Sequence, residues 1–162
     1  MNSEYKKWLA DTLANKEEVS KQFKTWKKKK PKDLDQQFHS GHEKAFTKID
    51  CLQCANCCKT TSPIFRDIDI KRISKSLRLK EAELIRNYLR MDEDNDYVLQ
   101  QSPCTFLNDD NTCSIYDVRP LACREYPHTD RKNMHQILEI TEKNTEICPA
   151  VAKITMEVIK KA

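Results

Sequence analysis

The segment Cys51-Leu52-Gln53-Cys54-Ala55-Asn56-Cys57-Cys58 is the strongest signal in this sequence of 162 residues. Three cysteines follow one another at intervals of two residues, and a fourth comes directly after the third. Two intervening residues let one short loop turn neighbouring thiolates toward a single metal centre. The side chains of adjacent residues usually diverge, so Cys57 and Cys58 favour two neighbouring centres, or one ligand and one spare thiol.

Four more cysteines lie downstream of this segment. Cys104, Cys113 and Cys123 are separated by eight and nine residues, and Cys148 is followed by Pro149. The three cysteines at two-residue intervals, Cys51, Cys54 and Cys57, together with the later Cys148-Pro149 pair, resemble ferredoxin spacing. The eight sulfurs leave three arrangements open, which are two zinc sites of four thiolates each, one four-iron cluster with four spare thiols, or two small clusters.

Helical periodicity surrounds the cysteines. Apolar residues predict an amphipathic helix from Ser3 to about Lys29 that stops at Pro31, and a second helical segment from about Asp33 to Ile49, which Ser40-Gly41 could interrupt. Further helices are predicted after a capping Asp67, over Leu79 to Leu89, and from Pro149 to Lys160 with a buried stripe of Ala150, Val151, Ile154 and Val158.

The remaining segments predict little regular structure. Asp92 to Asp96 forms an acidic surface turn, Tyr97 to Leu99 a short strand bounded by Pro103, and residues 104–128 tight loops. We therefore expect a mainly α protein with irregular cysteine-rich loops and at most a short strand pair, a small single domain organised around a metal site. Residues 1–48 would form a basic helical segment, and residues 49–162 the cysteine-cluster domain.

Composition excludes several classes of function. Gly41 is the one glycine in the chain, so neither G-x-G-x-x-G nor a Walker A loop can be written. The first thirty residues lack the apolar run of a signal peptide, and no apolar stretch is long enough to span a membrane. We therefore expect a cytoplasmic protein, in which clustered thiols indicate a metal site or redox device more often than disulfides.

The positive charge is concentrated at the N-terminus. Residues 1–48 hold 12 Lys against 7 Asp and Glu, which gives +5, and the other 114 residues hold 17 basic and 18 acidic residues, which gives −1. The run from Lys27 to Lys30 is a surface for an unknown protein partner or a solvated helix end. Nucleic-acid binding is not favoured, because the run lacks paired arginines and an aromatic platform.

Disulfide bonding and thiol exchange account for the cysteines less well than metal binding does. A disulfide framework conflicts with the adjacent pair Cys57-Cys58, whose geometry would be strained. A thioredoxin-like exchange site needs a Cys-x-x-Cys that opens a helix after a strand, whereas the residues before Cys51 are predicted to be helix or loop.

The linked motifs resemble a known family, the cysteine-cluster family named for Cys-x-x-Cys-x-x-Cys-Cys, a zinc- or iron-chelating domain that includes YkgJ-like proteins. The resemblance runs from Cys51 to about Cys148, through Pro103-Cys104-Thr105-Phe106-Leu107, the segment from Cys113 to Pro127 and Cys148-Pro149. It implies that the cysteines bind a metal or an iron–sulfur cluster, but it does not supply a reaction. A related cluster occurs in proteins similar to flagellin lysine methylases.

Residues near Cys123 have auxiliary roles in this hypothesis. The guanidinium groups of Arg119 and Arg124 could offset the charge of a polythiolate cofactor and hydrogen-bond to it. His128 is the histidine best placed in sequence to complete a site of three cysteines, whereas His39 and His42 are typical of a helix surface.

The leading hypothesis is therefore an iron–sulfur protein. Its metal ligands would come from the full set of cysteines, which are Cys51, Cys54, Cys57, Cys58, Cys104, Cys113, Cys123 and Cys148. One alternative is a zinc-binding structural or adaptor domain, and another is a component of a methylase-like, protein-modifying enzyme system. The sequence does not decide whether the protein is an enzyme.

Overall fold

The structure, a computed structural model, describes residues 1–161 and confirms the mainly α prediction. In these residues ten α-helices accompany one two-stranded antiparallel sheet. The helices are α1 Ser3–Ala14, α2 Lys16–Lys29, α3 Leu34–Phe46, α4 Cys51–Cys54, α5 Asn56–Thr60, α6 Asp67–Leu77, α7 Glu81–Tyr88, α8 Leu121–Glu125, α9 Leu138–Asn144 and α10 Pro149–Ile159, and the strands are β1 Leu89–Met91 and β2 Tyr97–Leu99.

The chain divides into two compact units. One, here called the terminal unit, comprises Met1–Cys54 and the described residues from Pro127 onward, and the other, the central unit, comprises Ala55–Tyr126. The sequence-based boundary between residues 48 and 49 stays a prediction. None of the helices formed by residues 1–161 combines the length and apolar character needed to cross a bilayer.

The predicted helix from Ser3 to Lys29 is two helices, because Asn15 interrupts it. Asn15 has φ −107° and ψ 24°, and its side-chain amide donates to the Asp11 carbonyl at 2.7 Å. Short polar side chains of this kind compete for backbone groups and so favour helix ends. The second helix ends as predicted, with Lys30 in the left-handed region directly before Pro31.

The core of the terminal unit is built from α10 packed against α1, α2 and α3. Aromatic side chains fill it, with the rings of Phe23 and Trp26 centred 5.2 Å apart and those of Trp26 and Phe38 5.8 Å apart. The predicted buried stripe of α10 is confirmed: Ala150, Val151, Ile154 and Val158 are all buried. The N-terminal helices thus share one core with the C-terminal helix.

Gly41 sets the approach of α3 to α10. A Cβ atom added to Gly41 would lie 2.8 Å from Cγ2 of Ile154, which is closer than real carbon contacts. The predicted helical segment forms as α3, and Ser40-Gly41, which could have interrupted it, does not, since α3 is continuous from Leu34 to Phe46. The glycine is there for close packing rather than for a break.

In the central unit, α6 and α7 form close to their predicted positions. The capping expectation is corrected: Asp67 is the first helical residue of α6, and the backbone amide of Arg66 before it donates to the Asp69 carboxylate at 3.2 Å. The helix predicted over Leu79 to Leu89 stops at Tyr88, because Leu89 enters β1 and pairs with Leu99.

Candidate metal centre

Ala55 divides the cysteine motif into two short helices. Cys51 and Cys54 lie on α4, and Cys57 and Cys58 lie on α5, while Ala55 between them has φ 47° and ψ 19°. A left-handed conformation costs a residue with a Cβ about 1–2 kcal/mol. The helix is therefore interrupted within the motif, and the cysteines of the motif are distributed between the two units.

The terminal unit contains Cys51, Cys54 and Cys148. Cys54 is buried in the core of this unit, and Cys148, the N-cap residue of α10, packs against the same core. Burial, with a smaller contribution from the neighbouring thiols of Cys51 and Cys54, raises the pKa of the Cys148 thiol to about 12. The three sulfurs are thus close enough for their charges to interact.

Tyr5 and Asp50 position α4. The Tyr5 hydroxyl accepts a hydrogen bond from the Asp50 backbone amide at 2.9 Å, and the Asp50 carboxylate accepts one from the Leu52 amide at 2.9 Å. Because Tyr5 is buried in α1, the N-terminal helix fixes the start of the cysteine motif.

Four half-buried cysteines of the central unit are mutual neighbours. Every pair among Cys58, Cys104, Cys113 and Cys123 interacts electrostatically. The backbone supports this grouping, since the Cys104 amide donates to the Cys58 carbonyl at 2.8 Å and Cys113 forms an isolated bridge with Leu107. Loops distant in sequence are therefore brought together as the metal-site hypothesis requires.

The protonation of these thiols differs from residue to residue. Burial raises the pKa of Cys104 and of Cys113, and it raises that of Cys123 to about 12. The pKa of Cys58 is instead lowered to about 7, because the Cys57 thiol lies 4.0 Å away and hydrogen-bonds to it, with help from the charge of Lys59. Cys58 is thus the thiol of this group that ionises most readily.

Arg119 and Arg124 have different surroundings. Arg119 donates to the Tyr116 carbonyl at 2.6 Å, and its guanidinium carbon lies 3.8 Å from the centre of the Tyr116 ring. Its positive charge offsets part of the rise that burial causes in the pKa values of Cys113 and Cys123. Arg124 donates to the carbonyls of Asp117 and Arg119 at 2.8 and 3.2 Å, so it braces this turn. Cofactor contact by either arginine stays a prediction.

Sequence reasoning missed the polar pair Asp69 and Arg72 on α6. The fully buried Asp69 carboxylate accepts hydrogen bonds from Arg72 at 2.6 Å and from the Leu121 amide at 3.2 Å. Arg72 donates to the carbonyls of Val118 and Arg119 at 3.2 and 2.8 Å. The pair holds the backbone that leads into Cys123. The one sequence signal for its burial was an aspartate directly beside the apolar stripe of Ile70 and Ile73.

The histidines of α3 hold a loop of the terminal unit. The His39 Nε2 donates to the Arg131 carbonyl at 2.9 Å, and His42 Nδ1 lies 2.8 Å from the Thr129 hydroxyl. The backbone of His128 is left-handed, with φ 64°. A ligand role for His128 stays a prediction.

The donors suit a thiophilic metal, although they are not a finished coordination shell. Among residues 1–161 no three His, Cys, Asp or Glu side chains already form a group that could hold a metal ion. Within the same residues all eight cysteines are thiols rather than disulfides. Thiolates are the ligands that zinc and iron–sulfur clusters prefer, so the chemistry of the clustered donors fits the predicted cofactors.

Comparison with known proteins identifies the family. No curated protein and no solved structure matches the chain. A family model matches residues 50–149, which include all of the cysteines. Because this match covers more than half of the chain, the protein belongs to the CxxCxxCC family, described as "Putative zinc- or iron-chelating domain".

Proposed function

We propose that this protein binds metal through cysteine thiolates and that its central unit holds an iron–sulfur cluster on Cys58, Cys104, Cys113 and Cys123. The observation that carries the proposal is the mutual interaction of these four thiols, which come from four separate places in the sequence. Four thiolates are the usual ligand set of such clusters. The family description supports metal binding in general.

One further observation favours iron over zinc, and another supports thiolate ligation of either metal. The cysteines at two-residue intervals and the Cys148-Pro149 pair are typical of ferredoxins, and Cys148 interacts with Cys51 and Cys54. In addition, the positive charge of Arg119 acts on two of the four thiols of the central unit. Positive charge nearby offsets the negative charge of a polythiolate cofactor.

The chain's own residues would prepare the site in three ways. Burial of Cys104, Cys113 and Cys123 keeps their thiols protonated until a metal displaces the protons. Cys58 ionises first and would make the first bond. The Asp69–Arg72 pair fixes the turn before Cys123. A bound cluster would supply one-electron transfer.

The test is the composition of protein purified without oxygen. Iron, zinc and acid-labile sulfide are counted per chain, and the visible absorption spectrum is recorded. We expect iron with stoichiometric sulfide and a brown colour. Stoichiometric zinc without sulfide would overturn the iron–sulfur assignment and leave a structural zinc domain. Protein that takes up neither metal would overturn the proposal as a whole.

A further inference from the structure

We infer that a basic surface of the terminal unit binds an acidic segment of a partner protein. This surface, here called the lysine surface, is formed by the second half of α2 and the residues directly after it, and its members are Lys21, Lys24, Lys27, Lys28, Lys29, Lys30 and Lys32. It lies outside residues 50–149, which the family model matches. The inference therefore goes beyond the proposed function and does not depend on which metal the cysteines bind.

The packing of α2 fixes which of its side chains face solvent. Phe23 and Trp26 are each 2% exposed and lie in the core of the terminal unit. Lys21, Lys24 and Lys28 follow one another at i, i+3 and i+7, which places them in one row on the opposite side of the helix. All seven members of the lysine surface are exposed. Because the aromatic core holds α2 in one orientation, the row presents its ammonium groups to solvent together.

The lysine surface carries charge that this chain does not balance. Residues 21–32 hold seven Lys and no Asp or Glu, which gives +7. Lys27 approaches Glu139 of α9 at 4.0 Å, and within residues 1–161 the other six lysines form no ion pair. By contrast, Lys16 at the start of the same helix lies 2.7 Å from Glu146. Like charges three and four positions apart on a helix repel one another, so an anionic partner would relieve this repulsion.

Helix stability accounts for only part of this charge. Lysines stabilise a helix through its dipole only within the last turn, so Lys21 and Lys24 lie too early in α2 to contribute. Lys30 is the C-cap residue, with φ 46° and ψ 63°. Glycine is the residue most often found in this left-handed conformation, because it adopts it without strain. A lysine therefore occupies a position where glycine would suit the backbone better.

The chemistry of the lysine surface favours carboxylates. An acidic protein segment matches the surface in charge, and complementary charge steers and selects such a partner. Proteins that bind nucleic-acid strands stack bases on exposed aromatic rings and read base edges with arginine. Residues 21–32 contain no arginine, and both of their aromatic side chains are buried. A helix that lies on a bilayer inserts its apolar side, whereas the apolar side of α2 is packed in the core of the terminal unit.

The test measures binding of a fluorescent peptide of Asp, Glu and Gly to the full-length protein by fluorescence anisotropy. A peptide with Asn and Gln in place of the acidic residues is the blank. The variant is Lys24→Gln/Lys28→Gln, in which the two positions are four residues apart on α2. Lys71→Gln/Lys75→Gln is the matched control, because these two lysines are exposed, lie four residues apart on α6 and carry the same charge. Helicity and metal content are measured for each protein.

We expect the wild type to bind the acidic peptide and to lose affinity as salt is raised from about 50 to about 300 mM. Lys24→Gln/Lys28→Gln should weaken binding about fivefold at low salt, and the control pair should weaken it less than about twofold. Helicity should be unchanged in both variants, because all four lysines are exposed.

Absence of peptide binding would overturn the inference, and so would equal weakening by the two pairs, which would show a response to net charge alone. Tighter binding of a single-stranded RNA or of phosphatidylserine vesicles than of the peptide would overturn it in favour of that class of partner. Peptide binding by a protein that takes up no metal would refute the proposed function and support this inference, so the two failures are distinguishable.

Discussion

The Asp69 carboxylate on α6 accepts a hydrogen bond from the backbone amide of Leu121, 52 positions later in the chain, at 3.2 Å. Leu121 is the first residue of α8, the helix that carries Cys123. A buried carboxylate thus supports the backbone that presents a proposed metal ligand.

Asp69→Asn should destabilise the protein by about 1–3 kcal/mol at pH 7, because Arg72 would lose its charged partner while remaining bound to the loop carbonyls. Chemical denaturation monitored by circular dichroism measures the change. Asp67→Asn, an exposed position on the same helix, is the matched control and should change stability less. Equal effects of the two substitutions would contradict the supporting role of Asp69.

The same residue predicts a pH dependence. Burial alone would raise the pKa of Asp69, but the hydrogen bonds from Arg72, Arg66 and Leu121 outweigh it, and the pKa lies below its usual value. The stabilisation is therefore complete above the unfolded-state pKa of about 3.9 and is lost as the pH falls through the folded-state pKa. The stability difference between wild type and Asp69→Asn should shrink below about pH 4, and a difference that stays constant there would refute the assignment.

Gly41→Ala should destabilise the terminal unit by about 1–3 kcal/mol, because the new methyl group would collide with Ile154 in a packed core. On an exposed helix the same substitution would be stabilising. Ile154→Leu moves the branch away from Cβ, so the double variant should recover part of the loss. Ser40→Ala, one residue earlier, serves as control. No coupling between positions 41 and 154 in thermal melts would show that the close approach is not what matters.

The sequence predicted the long amphipathic helices well and the breaks between them less well. The apolar stripes of α6, α7 and α10 have helical spacing, which is local information. The end of α2 shortly before Pro31 could also be predicted from the sequence. The break at Asn15 and the entry of Leu89 into β1 could not be predicted. A side-chain cap at Asn15 and a strand partner for Leu89 compete with helix formation, and a single sequence does not rank these alternatives.

For the candidate site, the sequence identified the chemistry but not the grouping. Clustered cysteines predict thiolate ligation whichever of the sulfurs are grouped together. Which thiols interact depends on how the fold places residues far apart in sequence, such as Cys58 with Cys104 and Cys148 with Cys51. The buried Asp69 was missed because an aspartate near the start of a helix ordinarily indicates a cap.

Cys58 should be the first of the central-unit thiols to react in metal-free protein. With a pKa of about 7, roughly half of it is thiolate at pH 7, whereas Cys123, with a pKa raised to about 12, stays protonated. Iodoacetamide labelling followed by peptide mass spectrometry measures the rates. The Cys58 rate should fall as the pH drops below 7 and level off above about pH 8, and Cys57→Ser should slow it at pH 7. Equal labelling of both thiols would contradict this expectation.

Substitutions at Ala55 test the turn that divides the motif. Ala55→Gly should preserve metal content and hold or raise the melting temperature, since glycine adopts the left-handed conformation without strain. Ala55→Val should lower both, because a β-branched side chain is a poor fit to positive φ. A valine variant with unchanged melting temperature and metal content would show that the turn is not required.

The most direct test of thiolate metal binding is X-ray absorption at the metal edge of the anaerobically purified full-length protein. We predict a first shell made of sulfur at about 2.3 Å, the usual metal–thiolate distance, with iron as the absorber and neighbouring iron atoms in the second shell. A shell of nitrogen and oxygen ligands, with the cysteines still accessible to alkylation, would contradict the central claim.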